Sequence, residues 1–359
     1  MASFQSTGDW LPPEIICEDS FAKHASISIW SVSAEGLDAD TGMLITVALP
    51  IYNGNPYLEK AIGSILAQDV DLELIISDDG SSDGSLDVAE GFADSRIRVL
   101  RNDRNGGIFG NLNRCITAAR GDPIQVFSQD DVMLPGYLAS QAALLAKHPD
   151  AGLVYGMPER IDEQGRLLGT YDSDVTPERI EWPLYLWISS HYGCLPASIS
   201  SIMIPRRTFD TVGLFDPAYP LAGDLEFYNR VAERFPILRN AEVRHAVRTH
   251  QLMTSALPTS GARYLREELR LADWYRRHWN EPELKKVRHF RAHIRGRYHL
   301  GWIKRMAMRG HITQAARALR DLNHLYPLHW VIGLQLQRLL GWRGLERPSI
   351  PPPKTTAVA

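Results

Sequence analysis

The chain has 359 residues, of which 44% are hydrophobic and 23% are charged, as is typical of a globular protein with one large domain or two smaller ones. Its net charge is −3, but the charge is unevenly distributed along the chain. Residues 263–359 hold 20 Lys and Arg against 7 Asp and Glu, whereas the preceding residues hold 19 Lys and Arg against 35 Asp and Glu. The three cysteines, Cys17, Cys115 and Cys194, are too widely spaced for a metal site and exclude a disulfide framework.

Residues 1–42 show no sustained hydrophobic period and predict an N-terminal extension of irregular or short elements. This stretch carries acidic residues such as Glu14, Glu18 and Asp19 and lacks a basic, apolar leader, so we expect no secretory signal. Together with the cysteine spacing, this favours a cytoplasmic protein.

From Met43 to about Gly156, short apolar runs alternate with stretches of helical period. The runs without polar alternation are typical of strands buried on both faces of a sheet. The predicted strands are Leu44–Leu49, Leu72–Ser77, Ile97–Leu100, Ile124–Ser128 and Leu153–Tyr155. Strands alternating with helices predict a mostly parallel α/β sheet flanked by helices.

The rest of the chain has different sequence patterns. Residues 157–260 are less regular, with a helix predicted near Asp224–Arg234. Residues 261–347 have a helical pattern and are basic, and the Pro-rich residues 348–359 predict a disordered tail. The predicted organisation is therefore one domain over residues 43–260, with halves 43–156 and 157–260, followed by a basic helical region.

Acidic and polar residues follow four of the predicted strands. In an open parallel sheet, ligands bind beyond the carboxyl ends of the strands, so these loops meet at one edge. Any one of them reads equally well as an ordinary turn. The four segments are Pro50–Gly54, Asp78–Ser85, Asn102–Gly107 and Gln129–Asp131. Together they predict a ligand site at this edge of the sheet.

The pair Asp130-Asp131 carries the clearest chemical meaning. Adjacent carboxylates repel each other unless a cation or a hydrogen-bond donor offsets their charge. Mg²⁺ and Mn²⁺ prefer oxygen ligands, and Mg²⁺ is typically held by one or two carboxylates plus substrate phosphates. The pair therefore predicts a metal–diphosphate site, and the alternative is that one of the two carboxylates caps the helix after Pro135.

The order and spacing of these segments resemble the family 2 glycosyltransferases, which have the GT-A fold. The matching pieces are Val47–Asn53, Ser64–Gln68, Ile75–Asp83, Asn105–Gly107, Asn113, Gly121-Asp122 and Gln129–Asp131. A second block resembles the acceptor half of the family, namely Ser200–Arg207, Gly213–Asp216 and Ala222–Arg230. The resemblance covers about residues 44–256.

The resemblance implies roles for individual residues. By this resemblance, the donor would be bound by Pro50, Tyr52, Asn53, Asn105 and Gly107. Asp79 would accept a hydrogen bond from the imide of the base, and Asp130 would bind the ribose. Asp131 would ligate Mn²⁺ or Mg²⁺ as part of a DXD-like motif, with His250 near the same metal. Asp224 would be the general base of an inverting reaction.

Two positions depart from the family pattern. Gly223 stands where many relatives have Glu, which leaves the base to be chosen between Asp224 and Glu226. Leu112 stands where many relatives have Arg. The sequence pattern alone favours Asp224 as an N-terminal helix cap and His250 as an ordinary histidine in a loop. The resemblance instead favours a functional role for both residues.

The basic helical region has three interpretations. Seven basic residues alternate with apolar ones: Arg288, Arg291, Arg295, Arg297, Lys304, Arg305 and Arg309, with Phe290, Ile294, Tyr298, Trp302 and Ile303 between them. This pattern suits a surface resting on anionic membrane at its inner face, a packing cap with a solvated basic face, or an oligomer contact. No nucleic-acid module is recognised, and no segment is apolar enough to span a bilayer.

The sequence thus predicts an inverting, metal-dependent glycosyltransferase of surface polysaccharide biosynthesis. It would move a sugar from a UDP- or dTDP-type donor to the hydroxyl of a glycan or lipid-linked acceptor. The alternative is a catalytically inactive GT-A relative that binds a nucleotide sugar or a partner. A Rossmann oxidoreductase is excluded, because Pro50–Asn55 replaces the glycine-rich turn that a dinucleotide requires after the first strand.

Overall fold

The structure is a computed structural model that describes residues 43–170, 176–196, 198–250 and 260–339. Within these ranges the chain forms two compact units, one ending at His250 and one that begins with the helix starting at Ser260. The predicted N-terminal extension and the predicted disordered tail lie outside the described residues.

The larger unit begins with alternating strands and helices and continues less regularly. Its first part comprises β1 (Ile45–Ile51), α1 (Leu58–Leu66), β2 (Leu72–Asp78), α2 (Ser85–Gly91), β3 (Ile97–Arg101), α3 (Ile108–Ala118), β4 (Ile124–Val126), β5 (Val132–Met133) and α4 (Tyr137–Lys147). Its second part comprises β6 (Leu153–Ile161), β7 (Leu167–Thr170), β8 (Arg179–Ile180), α5 (Trp182–Tyr192), β9 (Ile202–Ile204), α6 (Arg206–Val212), α7 (Gly223–Ala232) and β10 (Ile237–Arg248).

The described strands form one ten-stranded sheet with the order β3-β2-β1-β4-β9-β6-β10-β5. The first four strands are parallel, β9 is antiparallel to both β4 and β6, and β10 is parallel to β6. Strands β7 and β8 add to β6 and β10 as antiparallel partners. This confirms the predicted mixed, mostly parallel sheet flanked by helices.

All five strands expected from apolar runs are present. β1, β2 and β4 are almost entirely buried, as their sequences indicate; β1, for example, packs its Val47 and Leu49 in one cluster with Leu58 and Ile62 of α1. β3 lies at the edge of the sheet and is only partly buried, so the prediction of burial on both faces was wrong for this strand. The sequence did not predict β5, β9 or β10. The first two have only two and three residues, and β10 contains charged residues along much of its length.

The smaller unit contains helices α8 (Ser260–His278), α9 (Glu281–Met308), α10 (Ile312–Leu325) and α11 (Leu328–Leu339). Its core is apolar and includes Leu265 of α8, Trp302 and Met306 of α9, and Leu322 of α10. In the described part of the chain, no helix is both long enough and apolar enough to cross a membrane. The predicted helical, basic region is therefore a packed helical unit.

A buried ionic cluster joins α8 to α9 within this unit. The Glu268 carboxylate accepts hydrogen bonds from Arg291 at 2.5 Å and from the Tyr326 hydroxyl at 2.7 Å, and it lies 3.1 Å from His299 Nε2. Arg295 lies 3.8 Å from the same carboxylate. Burial alone would raise the pKa of Glu268, but the two guanidinium groups outweigh it and hold that pKa well below its usual range.

Three of the seven basic residues in the predicted alternating pattern therefore serve internal packing. Arg291 is buried, Arg295 is largely buried, and Arg288 donates to the carbonyl oxygens of His324 and Leu325. Only the remaining members of the pattern are left to form a basic surface on α9.

We predict that Glu268→Gln destabilises the protein by about 3–5 kcal/mol, because it leaves two buried guanidinium groups without a counter-charge. Glu283→Gln is the matched control, since Glu283 forms an exposed pair with Lys286 and its loss should cost less than about 1 kcal/mol. Urea unfolding followed by far-ultraviolet circular dichroism measures both changes.

The stability difference between the wild type and Glu268→Gln should depend on pH. Because the folded pKa of Glu268 is lowered, its contribution to stability is present above the unfolded pKa of about 4.3 and is lost as the pH falls through the folded value. The difference between the wild type and Glu268→Gln should therefore shrink in acid. An equal effect of the two variants at neutral pH would contradict a structural role for the cluster.

Candidate active site

The loop after β1 is fastened to the loop after β2 by hydrogen bonds. Asn53 has a left-handed backbone with a φ of 49°, donates its amide to Ser81 Oγ at 2.9 Å, and accepts the Ser82 amide on its side-chain oxygen at 2.9 Å. Asn55 donates its amide to the Asp83 carboxylate at 2.9 Å. The polar residues that looked like ordinary turn formers therefore bind each other across two strand ends.

Tyr52 lies on the solvent side of the same loop. The Gln129 side chain accepts the Tyr52 amide at 2.8 Å and donates to the Tyr52 carbonyl oxygen at 3.1 Å. These two bonds fix the Tyr52 backbone against the end of β4, while its side chain stays 47% exposed. Pro50, also predicted to bind the donor, is a residue of β1 itself. The structure thus brings Pro50, Tyr52 and Asn53 to the predicted edge of the sheet.

Asp79 is buried, with only 2% of its surface exposed. Its carboxylate accepts four hydrogen bonds of 2.8–3.0 Å from the Asn102 side chain and the Gly106 and Gly107 amides. The Gly107 amide is also bound by the exposed Asn105 side chain at 2.9 Å. Asp79 therefore organises the loop that carries Asn105 and Gly107. A hydrogen bond between Asp79 and the imide of a base stays a prediction. Such a bond would compete with the four bonds that the carboxylate already accepts.

Asn111 is a buried residue of this edge that the sequence analysis missed. Its side-chain amide donates to the carbonyl oxygens of Ser77 at 2.7 Å and Ile51 at 3.2 Å, and its oxygen accepts a bond from Asn102. Asn111 thereby ties the ends of β1 and β2 to the loop held by Asp79. The only sequence signal was a polar side chain on the apolar face of α3.

Asp131 points into the protein and is 4% exposed. One carboxylate oxygen accepts from the Ser200 hydroxyl at 2.5 Å, and the other accepts from the Arg248 amide at 2.9 Å. Burial and the neighbouring charge of Asp130 raise the pKa of Asp131 well above its usual range. The N-cap residue of α4 is Gly136, and no side chain caps this helix. Neither Asp130 nor Asp131 is therefore a helix cap.

Asp130 lies on the other side of the chain from its neighbour and is partly exposed. Its carboxylate lies 2.8 Å from His250 Nε2, and the His250 ring lies 5.0 Å from the ring of Tyr57. The Nδ1 atom of His250 is buried and has no hydrogen-bond partner among the described residues. The structure therefore brings His250 to Asp130, whereas the resemblance placed His250 at the same metal as Asp131.

Arg248 holds this arrangement in place and was not predicted to do so. Besides the amide bond to Asp131, its guanidinium donates to the carbonyl oxygens of Asp130 and Asp162, both at 2.9 Å. The guanidinium also lies 4.7 Å from the centre of the Tyr57 ring. Arg248 is buried and therefore positions the Asp130 segment from the end of β10.

These residues can be tested for their fit to a divalent cation. Within the described ranges, no group of three or more His, Cys, Asp or Glu side chains could hold a metal alone. Asp130 and His250 offer two ligands at one place, which leaves the remaining positions of a cation to phosphate oxygens and water. Asp131 fits less well because both of its oxygens already accept bonds; its role as a ligand stays a prediction.

Asp224 lies in the first turn of α7, and its carboxylate accepts the Leu225 amide at 2.7 Å. The helix cap is Ala222, so Asp224 is a first-turn acidic residue favoured by the helix dipole rather than the cap itself. Glu226, the alternative base, is bound through both oxygens to Arg230 at 2.7 Å. Glu226 is therefore engaged in an ion pair, and the role of Asp224 as general base stays a prediction.

Gly223 explains one departure from the family pattern. A Cβ at this position would lie 2.6 Å from the ring of Phe109, in the first turn of α3 just after Gly107. The start of α7, which carries Asp224, thus packs directly against the start of α3, which follows the loop of Asn105. Leu112, the other departure, is fully buried.

We predict that Gly223→Ala destabilises the larger unit by about 1–3 kcal/mol, because the added methyl group overlaps an aromatic ring that is itself buried. Gly63→Ala is the matched control, since Gly63 is also helical but has open space around its missing Cβ. It should be neutral or stabilise by up to about 1 kcal/mol. Thermal unfolding of both variants measures the difference, and equal effects would contradict the Phe109 contact.

The chain is similar in sequence to known glycosyltransferases. The family model described as Glycosyl transferase family 2 matches residues 46–191. An uncharacterized glycosyltransferase of Rickettsia felis is 30% identical over 201 residues, which are 54% of this chain and 32% of that protein. An uncharacterized glycosyltransferase of Rickettsia prowazekii is 29% identical over 217 residues, which are 59% of this chain and 66% of that protein. This chain therefore spans only part of the length of these relatives.

The fold also has a solved counterpart. The crystal structure of S. aureus TarS 1-349 in complex with UDP-GlcNAc is similar with a TM-score of 0.58 and 15% sequence identity. The likeness covers 84% of this chain and 89% of that one. At this identity it shows a shared fold, which confirms the predicted GT-A type with a helical C-terminal part.

Proposed function

Since this chain belongs to glycosyl transferase family 2 through its residues 46–191, we propose that it is an inverting, metal-dependent glycosyltransferase. Its donor would be a UDP- or dTDP-type sugar and its acceptor the hydroxyl of a growing surface glycan or lipid-linked sugar. The observation that carries the proposal is the pairing of Asp130 with His250 at 2.8 Å, beside loops whose hydrogen bonds fix one edge of the sheet.

Asp130 and His250 are the residues that would hold the metal on the donor diphosphate. A divalent cation there supplies a Lewis acid for the negative charge that develops on the departing diphosphate. Asp131 supports them indirectly, since its bonds to Ser200 and Arg248 fix the segment from inside. This assignment moves to Asp130 the metal-binding role that the resemblance implied for Asp131, and it leaves Asp131 a supporting role in place of metal binding.

The donor nucleoside would lie over the loops after β1 and β2. The exposed Tyr52 ring offers a face on which a base can stack, because its backbone is fixed while its side chain is open. Asn105 and Gly107 lie in the neighbouring loop that Asp79 organises. The proposed donor contacts therefore come from loops that hydrogen bonds within the protein hold in place.

Asp224 would take the proton from the acceptor hydroxyl as that oxygen attacks the anomeric carbon. A positioned carboxylate contributes typically about 10²–10⁴-fold to such a proton transfer. Two features support Asp224: it lies where α7 packs on the start of α3, and the competing carboxylate of Glu226 is paired with Arg230. A single displacement in this arrangement inverts the anomeric centre.

A thermal-shift panel of nucleoside diphosphates and nucleotide sugars, each with and without Mn²⁺, tests the proposal. A ligand present at 100 times its dissociation constant stabilises the folded state by about 2.7 kcal/mol. We expect uridine or thymidine compounds to raise the melting temperature only when the metal is present. The proposal would be contradicted if no compound of the panel raised the melting temperature, with or without the metal.

We predict that Asp224→Asn lowers sugar transfer or donor hydrolysis by about 10²–10⁴-fold while leaving donor binding unchanged. Glu226→Gln is the matched control, since it removes a carboxylate two residues away in the same helical turn and should keep most of the activity. Turnover of the donor identified by the panel and its dissociation constant provide the two readouts.

The same pair of measurements decides between the two candidate functions. A wild-type protein that binds the donor with metal but shows no turnover would favour the inactive, binding-only relative. Loss of activity in Glu226→Gln with full activity in Asp224→Asn would contradict the assignment of the base and leave the enzyme class intact.

A further inference from the structure

The segment from residue 284 to residue 320 contains no Asp or Glu and 11 Lys or Arg. It runs from the second turn of α9 into the third turn of α10. Some of this charge is neutralised internally, because Arg291 pairs with Glu268 and Arg288 binds carbonyl oxygens. Other basic residues of the segment, among them Arg297, Lys304 and Arg309, are exposed.

The C-terminal half of α9 presents its unneutralised residues on one face. Gly296, His299, Ile303 and Met306 of this half are buried, so the opposite face of the helix points outwards. Arg297, Lys304 and Met308 are exposed and recur at the helical spacing that places them on this outer face. The outer face therefore combines two cations with a large apolar side chain.

The turn between α9 and α10 extends this face. Met308 is 68% exposed and Ile312, the first residue of α10, is 63% exposed, with the exposed Arg309 between them. Two large apolar side chains this open to solvent, at the end of one helix and the start of the next, are unusual beside a well-packed core. We call Lys304, Met308, Arg309 and Ile312 the tip surface.

We propose that the tip surface docks on an anionic lipid bilayer, with Met308 and Ile312 entering the headgroup region and Lys304 and Arg309 on the lipid phosphates. Shallow apolar insertion flanked by Lys and Arg is the chemistry by which amphipathic helices bind anionic membranes. A nucleic acid would match the charge and would leave the two apolar side chains without a role. The proposal is independent of the proposed catalytic activity.

Co-sedimentation of the full chain with vesicles of phosphatidylcholine alone, or with phosphatidylglycerol added, tests the proposal. Each basic residue near an anionic surface contributes about fivefold to membrane partitioning. We expect binding to the anionic vesicles to be at least about tenfold stronger than to neutral ones. The double variant Lys304→Glu, Arg309→Glu should weaken anionic binding at least about tenfold.

The variant Met308→Ser, Ile312→Ser tests the apolar part and should also weaken binding about tenfold, because each buried methylene contributes about fourfold. The control is Lys285→Glu, Lys286→Glu, which makes the same charge change on exposed residues about 27 Å or more away along α9. That distance exceeds the screening length of about 8 Å in physiological salt, so binding should change less than about threefold.

Circular dichroism and donor turnover should be the same for the wild type and all three double variants. Equal or absent binding to both kinds of vesicle would overturn the proposal. So would a loss in the control as large as that in Lys304→Glu, Arg309→Glu. Unchanged binding of Met308→Ser, Ile312→Ser, with competition by RNA, would assign the surface to polyanions instead.

Discussion

The site depends on how the chain separates two adjacent carboxylates. Asp130 and Asp131 cannot both be buried as anions without strong repulsion. Asp131 is turned inwards, where the Ser200 hydroxyl and the Arg248 amide bind its two oxygens, and Asp130 is left at the surface beside His250. An open carboxylate next to a histidine is the arrangement that a metal–diphosphate can complete.

The strand β10 is what makes that separation possible. It pairs antiparallel with β5, with His245 opposite Met133 and Ala246 opposite Val132. Continued by two residues, this register brings the end of β10 back to Asp130, so Arg248 and His250 arrive at the carboxylate pair from the far end of the sheet. The donor-side loops and the last strand of the larger unit are thereby joined at one place.

The sequence predicted the elements whose information is local. Apolar runs located five strands, and the Asp, Asn and Gly residues after them located the edge where β1, β2 and β4 end. The sequence alone could not show which carboxylate faces inwards. That is decided by Ser200 and by Arg248 at the end of β10, which lie 69 and 117 residues away from Asp131. Asn111 and Arg248 were missed for the same reason, since each acts through bonds to distant carbonyl oxygens.

The helical unit shows the same limit for charge patterns. The sequence left three interpretations open for the alternating basic and apolar residues of α9, and it did not show that Glu268 on a different helix draws Arg291 and Arg295 inside. Gly223 is a further example, because its departure from the family pattern is explained by the ring of Phe109, which lies close in space and far away in the sequence. Steric contacts between two helix starts thus explain a substitution that pattern alone left open.

Isothermal titration of the diphosphate that binds in the thermal-shift panel, with and without Mn²⁺, tests the central claim most directly. The wild type and Asp131→Asn should both bind more tightly with the metal, with Asp131→Asn less stable to heat. Asp130→Asn should bind with an affinity that the metal no longer changes. A metal response that survives in Asp130→Asn and disappears in a folded Asp131→Asn would contradict the account.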